Sequence, residues 1–327
     1  MHVIVVGAGV TGLAAAHRLQ RGGAAVTVLT ADAPGTVQSA GSSRIFRLAH
    51  ESAELTDAAA RAAAGWRAWE TDARRALLER TGLLLTGDVA DREVHLRAHG
   101  AYAAATGAAH PLAAALPHWT RDLAGAAIHA ADTISYLADG LDVRRGTAAA
   151  VDADSVTLTD GRRLVADRVL ICAGADTYRL LALPQPPRLR YTRFSFDVRR
   201  PGVPAPCWIQ RDPALSEPFY ALVDGPNRYA VGLSEGADVD LPLDAVLADM
   251  RARVCAIAAE LLPGVVPEVR DTIVCEAPTN PTALRDGHTT DGWDMPQAGG
   301  VLGVTGPNLF KFAPLLADLA AVQLTSP

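Results

Sequence analysis

Val3-Ile4-Val5-Val6-Gly7-Ala8-Gly9-Val10-Thr11-Gly12 opens the chain. Four apolar β-branched residues in a row are the pattern of a strand buried on both faces of a parallel sheet. Three glycines follow at the spacing of a strand-to-helix turn. Gly7 permits the tight turn, Gly9 lets the backbone approach a pyrophosphate, and Gly12 allows close helix–strand packing, helped by Ala14, Ala15 and Ala16. Leu13 to Arg21 reads as the helix, Gly22-Gly23 as its stop, and Val26 to Leu29 as a second buried strand. The result is a βαβ unit whose helix N-terminus offers N–H donors to phosphates. The second strand ends at Thr30, where an acid for ribose hydroxyls is expected; Asp32 is the candidate substitute.

Outward from this unit, residues 55–79 read as a long alanine-rich helix carrying Trp66 and Trp69, Leu83-Leu84-Leu85 as a strand, and 91–106 as a helix. The alternation over 147–165 predicts a hairpin turned by Asp160-Gly161. Asp167 to Ala175 is another buried strand, ending in small residues. Pro184-Gln185-Pro186-Pro187 is a linker. Short strands with frequent prolines fill 190–233, followed by a helix over 243–262, strands near 269–276 and 300–304, and a last helix from about 313 to 324. Parallel patterns at both ends with antiparallel ones between predict an α/β (α+β two-domain) fold. Residues 1–78, 126–186 and 284–327 form its Rossmann-like dinucleotide-binding domain. Residues 79–125 and 187–283 form an inserted antiparallel-sheet substrate domain.

Composition narrows the function classes. With 49% hydrophobic and 20% charged residues among 327, the chain buries a sizeable core, which excludes disordered and fibrous classes. Thirty basic against 36 acidic side chains leave a net charge of −6, which argues against nucleic acid or an anionic membrane as partner. No uninterrupted apolar run reaches the roughly eighteen residues of a spanning helix. Cys172, Cys207, Cys255 and Cys275 form no Cys-x-x-Cys pair, so neither a zinc site nor a disulfide framework is expected, and a reducing cytoplasm is the expected location. The opening residues lack a basic leader and read as folded structure. His95 and His99 are spaced for one helix face but have no third ligand beside them, so no metal is expected.

Three further segments add to the glycine turn. Gly41-Ser42-Ser43-Arg44-Ile45-Phe46-Arg47 follows the second strand, and the strand from Asp167 ends in Ala173-Gly174-Ala175. Near the C-terminus comes Gly303-Val304-Thr305-Gly306-Pro307-Asn308-Leu309-Phe310-Lys311-Phe312-Ala313-Pro314. Together, in this order, they resemble the D-amino-acid-oxidase superfamily of flavoproteins, and within it the monomeric sarcosine oxidase and N-methyltryptophan oxidase branch. The resemblance is spread over nearly the whole chain; it is specific for the fold and not for the substrate. It implies FAD as cofactor and a monomer that oxidises the C–N bond of a small carboxylate-bearing amine, an amino acid or N-substituted amino acid. Hydride passes to the flavin and an imine results. It also implies that the last helix turns its positive end to the flavin, with Pro314 in its first turn.

The resemblance assigns Arg47 to the substrate carboxylate, Lys311 to the same carboxylate beside the flavin, and Tyr220 to an aromatic wall of the pocket. A planar guanidinium fork suits the first task. Cofactor contacts fall to Gly7, Gly9, Gly12, Asp32, Ser43, Arg44, Ala173, Gly174, Gly306, Asn308, Leu309, Phe310 and Lys311. Cys275 falls where the family attaches flavin by a thioether. Read as residues alone, the alternatives are a surface arginine for Arg47, a structural ion-pair partner for Arg44, a core tyrosine for Tyr220 and a buried strand cysteine for Cys275. Several positions depart from the family's pattern. Ala40 replaces a histidine, Ala277 a tyrosine, Ala230 the oxygen-activating lysine, Ser234 a pocket histidine and Asp176 a tryptophan. Slow reaction with oxygen is the consequence expected of Ala230, unless Arg228 on the same strand face compensates. The electron acceptor is therefore oxygen or another species. A flavin dehydrogenase or tailoring enzyme with an unusual substrate, and a non-catalytic FAD-binding protein, are the alternatives.

Overall fold

The β-branched opening forms the strand His2–Val6, buried in all but its first residue. It lies inside a six-stranded sheet ordered Gln297–Ala298, Val301–Gly303, Arg168–Ile171, His2–Val6, Ala25–Thr30, Asp142–Arg145. All neighbours run parallel except the edge hairpin 297–303. From His2–Val6 the chain winds outward one way through 25–30 and 142–145 and the other way through 168–171 and 301–303. A topological switch point thus sits at the C-terminal end of the central strand, where doubly wound sheets bind ligands. The computed structural model describes residues 1–279 and 291–325, with the short strands Leu284–Arg285 and His288–Thr289 between them. The expected domain boundary at 283/284 falls at the edge of that description, with residue 283 outside it.

Gly7 and Gly12 make the first turn sterically feasible. Gly7 has φ +112°, and a Cβ there would stand 2.2 Å from the carbonyl oxygen of Cys172. A Cβ on Gly12 would stand 1.9 Å from the carbonyl oxygen of Gly7. Both closures are backbone against backbone, so no rotamer change relieves them. Helix Val10–Arg21 follows, its alanines wholly buried, and packs on the last helix, Ala313–Thr325.

A nine-stranded sheet forms the second layer. Its strands run Val265–Pro278, Arg188–Val198, Arg228–Leu233, Phe219–Val223, Cys207–Arg211, Leu83–Gly87, Leu116–Asp122, Tyr102–Gly107, with Ala237–Asp238 at one edge. Every pairing is antiparallel except Cys207–Arg211 with Leu83–Gly87, where the two separated stretches of sequence meet. Side chains alternate by face. Trp208, Phe219, Ala221, Tyr229 and Val231 join the core under helix Leu243–Leu261. Ile209, Arg211, Tyr220, Leu222 and Arg193 face the other way and line a cavity.

Three local readings are corrected. The helix expected over 91–106 is Ala90–Ala98 only; Gly100 takes φ +63°, and Tyr102–Gly107 pairs with Leu116–Asp122 as a strand. Cross-strand pairing there overrides the helix preference of alanine. The helix expected to reach 79 runs Ala53–Ala73 and stops at Arg74, which adopts the left-handed conformation (φ 52°), leaving Leu78–Glu79 to pair with Ala126–His129. The 147–165 hairpin is a three-stranded meander of Ala148–Asp152, Ser155–Leu158 and Arg163–Val165.

Candidate active site

The cavity has a volume of about 770 Å³ and runs from the glycine turn, past the inner face of the nine-stranded sheet, to Lys311. That size suits a cofactor or a drug-sized ligand. At the first end the Ser39 hydroxyl accepts the Val10 N–H at 3.0 Å and fixes the start of the helix. A Cβ on Gly9, unlike one on Gly7 or Gly12, would meet only the Ser39 Oγ, at 3.4 Å. Gly9 is therefore the place where an outside group reaches the backbone, and Val10 and Thr11 line the cavity beside it. A pyrophosphate fits this cradle of open backbone and helix-start N–H donors. Asp32 is exposed on the rim beyond strand Ala25–Thr30, whose last hydroxyl, on Thr30, donates to the Asp32 carbonyl at 2.9 Å. Ala173 and Gly174 line the opposite wall, and the Thr305 hydroxyl ties to it by donating to the Gly174 carbonyl at 2.9 Å.

In the middle stand Arg44, Arg193, Tyr220 and Cys275. Arg44 donates to the carbonyls of Ser43 (2.7 Å), Gln38 (3.0 Å) and Ala40 (2.5 Å), and its guanidinium lies 5.7 Å from the centre of the Phe310 ring. Burial, with Arg193 nearby, brings its ionisation down to about 10. Arg193, which sequence reading passed over, donates to the Ser43 carbonyl at 2.6 Å and pairs with buried Asp224 at 3.4 Å. Asp224 also accepts from the hydroxyls of Ser42, Ser43 and Ser195. Ser43 thus faces a structural carboxylate. Burial pushes the Cys275 thiol up, while Arg44 and Arg193 pull it the other way. Ala230 is wholly buried, between Ser195 and Leu222 on the adjoining strands. The exposed Arg228 side chain lies by Asp197, its Nε 3.8 Å away.

At the far end the structure brings Arg47 and Lys311 together around a carboxylate of the chain itself. The Asp291 oxygens lie 2.5 Å from Arg47 Nη2 and 3.1 Å from Lys311 Nζ. His50 Nδ1 lies 3.2 Å away, and the Asn308 amide donates to Asp291 at 3.0 Å. Asp291, Lys311 and His50 are nearly inaccessible. Two cations and two hydrogen-bond donors outweigh the burial of Asp291 and hold its carboxyl well below the usual range. Burial, assisted by Arg47, lowers Lys311 to about 8 against the pull of Asp291. Burial lowers His50 to about 4, so its ring is neutral near pH 7 and donates to Asp291 through Nδ1–H.

Lys311 is positioned from behind. Asn308 adopts a left-handed bend (φ 55°) and accepts from Lys311 Nζ at 3.1 Å, while the buried Trp66 indole donates to the Lys311 carbonyl at 3.0 Å. Leu309, Phe310 and Gly306 line the same wall. Asp291, His50, Arg92 and Arg211 carried no signal in the sequence, and Trp66 was readable only as a helix residue. Asp291 stands in an Asp-Gly pair that reads as a turn, and nothing in sequence links it to Arg47.

Comparison with known proteins agrees with this architecture. The family described as FAD dependent oxidoreductase matches residues 2–323. A search of curated proteins found no match. Among solved structures, the chain is similar to a Tyr258Phe mutant of NikD, described as an unusual amino acid oxidase essential for nikkomycin biosynthesis. The identity is 20% and the TM-score 0.84, covering 99% of this chain and 93% of that one. It is similar to glycine oxidase from Geobacillus kaustophilus at 18% identity and TM-score 0.77, covering 98% and 93%. It is also similar to iminodiacetate oxidase from Chelativorans sp. BNC1 at 20% and TM-score 0.73, covering 99% and 97%. At these identities the likeness is one of fold, and it is the family match along almost the whole chain, joined to the glycine cradle, that identifies this protein as a member of the FAD-dependent oxidoreductase family and an enzyme that uses FAD.

Proposed function

We propose that this enzyme oxidises the C–N bond of a small amine bearing a carboxylate, an amino acid or N-substituted amino acid, in the manner of the sarcosine oxidase branch. The observation that carries the reading is the Asp291 carboxylate held by Arg47 and Lys311, since a pair of cations that grips one carboxylate in a buried pocket has the chemistry to grip another. On this reading residues 1–78, 126–186 and 284–327 hold the cofactor, and 79–125 and 187–283 contribute the substrate side. Gly7, Gly9, Ala173, Gly174 and Gly306 would hold the dinucleotide, and Gly12 would act on it through the close packing of the turn. Arg44, Cys275, Phe310 and Lys311 would adjoin its ring, and Tyr220 would wall the substrate. FAD bound there would supply a two-electron sink able to accept hydride from the substrate Cα–H, and the imine that remains would be hydrolysed by water.

The protein's own part is orientation. Arg47 and Lys311 fix the carboxylate, which aims the Cα–H, while burial excludes water from the reacting bond. A substrate that arrives with a neutral amine needs no general base. Asp291 also favours a second reading, in which it stays in place and the pocket takes an amine without a carboxylate. Anaerobic bleaching of the bound flavin by a panel of amino acids and their decarboxylated amines decides between them. Reduction by the amino acids is expected; equal reduction by the decarboxylated amines overturns the first reading. Acid precipitation decides whether FAD is attached at Cys275: yellow colour that stays with the precipitated protein shows the thioether, and free FAD in the supernatant rules it out.

A further inference from the structure

Past Arg47 and Asp291 the cavity wall carries two more arginines that the reading above does not use. Arg211 ends the strand Cys207–Arg211 on the face that Ile209 also presents to the cavity. Arg92 comes from helix Ala90–Ala98 and is 5% exposed. Arg92 is partly partnered: it donates to Glu51 and, at 3.4 Å, to the Asp88 carbonyl. Its Nε is nonetheless buried without a hydrogen-bond partner among the described residues. Arg211 is half-buried, its Nε is likewise buried and unpartnered, and its guanidinium makes no ion pair among the described residues.

Charge reinforces the geometry. The side chains lining this end include the cations Arg47, Arg92, Arg211 and Lys311 and the anions Glu51 and Asp291, with His50 neutral. Asp122, the remaining buried acid near Arg47, does not line the cavity and accepts the N–H groups of Leu48, Ala49 and Ala124. The wall therefore holds two more positive charges than negative ones. Burial first, then Arg47 and Arg211, lower the ionisation of Arg92 to about 10 against the pull of Glu51 and Asp291, so the three guanidinium groups feel one another. Buried like charges gathered at one place are costly unless an anion joins them.

We propose that Arg92 and Arg211 form a second carboxylate subsite, so that the substrate is a diacid amine: an amino acid or N-substituted amino acid with a second carboxylate at its far end. The inference rests on the assignment of Arg47 and Lys311 to the first carboxylate and adds a specificity site to it. Each guanidinium fork matches a carboxylate edge, and the buried Nε–H groups supply donors that no side chain of the described residues uses.

Calorimetric titration of the FAD-loaded protein tests this with simple acids. Malonate, succinate, glutarate and adipate are each compared with the monoacid of equal carbon number. The subsite predicts that at least one diacid binds tenfold or more tightly than its monoacid partner. Arg211→Gln should bring that ratio down to about one or two, and Arg211→Lys should keep part of it. Retained FAD absorbance and melting temperature show that the variants are folded, and the wild-type ratio needs no variant at all. If monoacids bind but no diacid binds better, or if the advantage survives in both Arg211→Gln and Arg92→Gln, the second subsite is wrong and the first stands. If neither class of acid binds, the carboxylate reading of Arg47 and Lys311 fails, and this inference fails with it.

Discussion

The two ends of the cavity are built on opposite plans. At the glycine turn the recognition surface is backbone: Gly7, Gly9 and the start of helix Val10–Arg21, all within a few residues of one another. At the far end it is side chain: Arg47, His50, Arg92, Arg211, Asp291 and Lys311, from stretches scattered between residues 47 and 311. A backbone cradle is set by sterics and admits few sequences. A side-chain cluster is set by charge balance and can be rewritten position by position while the fold persists.

The largest effects should come from breaking the cradle. Gly9→Asp places a carboxylate where a pyrophosphate approaches, and the purified protein should be colourless and fail to take up FAD. Gly9→Ala should keep the melting temperature of the FAD-free protein, because its Cβ meets only the Ser39 hydroxyl at 3.4 Å, yet weaken FAD binding. Gly12→Ala should lose the fold itself, since its Cβ would stand 1.9 Å from a carbonyl oxygen. Equal loss of folded protein in Gly9→Ala and Gly12→Ala would erase the distinction between a ligand-facing and a structure-facing glycine.

At the other end, Arg47→Ala should cost carboxylate ligands about 2–5 kcal/mol, at least ~30-fold in Kd, as expected when one partner of a desolvated charge pair is removed. FAD content should be unchanged. Titration with butyrate measures this, and an unchanged affinity would remove Arg47 from the site.

This contrast also explains what the sequence made legible. The βαβ unit, the last helix and the strand ending in Ala173-Gly174 were readable because periodicity and glycine spacing are local signals. The fold class followed from their order. Arg44, Arg47 and Lys311 were readable only through resemblance. Asp291, His50 and Asp224 were not readable at all, because each acquires its meaning from partners far along the chain, such as Lys311 for Asp291 and Arg193 for Asp224. The stretch 91–106 misled for a related reason. Its alanines favour a helix in isolation, but strand Tyr102–Gly107 is held by its pairing with Leu116–Asp122.

Asp291→Asn sharpens the comparison, because it should move stability and binding in opposite directions. Removing the carboxylate leaves Arg47 and Lys311 buried without their anion, which costs about 3–5 kcal/mol in comparable networks and should lower the melting temperature by several degrees. It also removes the group that competes with an incoming carboxylate, so butyrate should bind about tenfold more tightly, an effect of roughly 1.4 kcal/mol, and should restore part of the lost stability by mass action. Weaker butyrate binding in Asp291→Asn would mean that Asp291 organises the cations for the ligand and does not compete with it.

The smallest effect is one of pH. Lys311 ionises near 8, lowered by burial and by Arg47 against the pull of Asp291. Below that value the ammonium is present and attracts an anion; above it the neutral amine contributes only a hydrogen bond. Butyrate, ionised throughout, should therefore bind several-fold more weakly at pH 9 than at pH 7. Neighbouring groups do not reproduce this dependence. His50 is already neutral above about 4, and Asp291 is held ionised by its cations. Because an anion that prefers the protonated lysine must raise its ionisation in return, the midpoint in the complex should lie above that of the free protein. Lys311→Met should bind butyrate weakly at every pH and show no inflection near 8. A Lys311→Met profile that still bends there would assign the titration to another group and leave Lys311 a structural ion-pair partner of Asp291, which is the same division between ligand-facing and structure-facing roles that Gly9 and Gly12 mark at the other end.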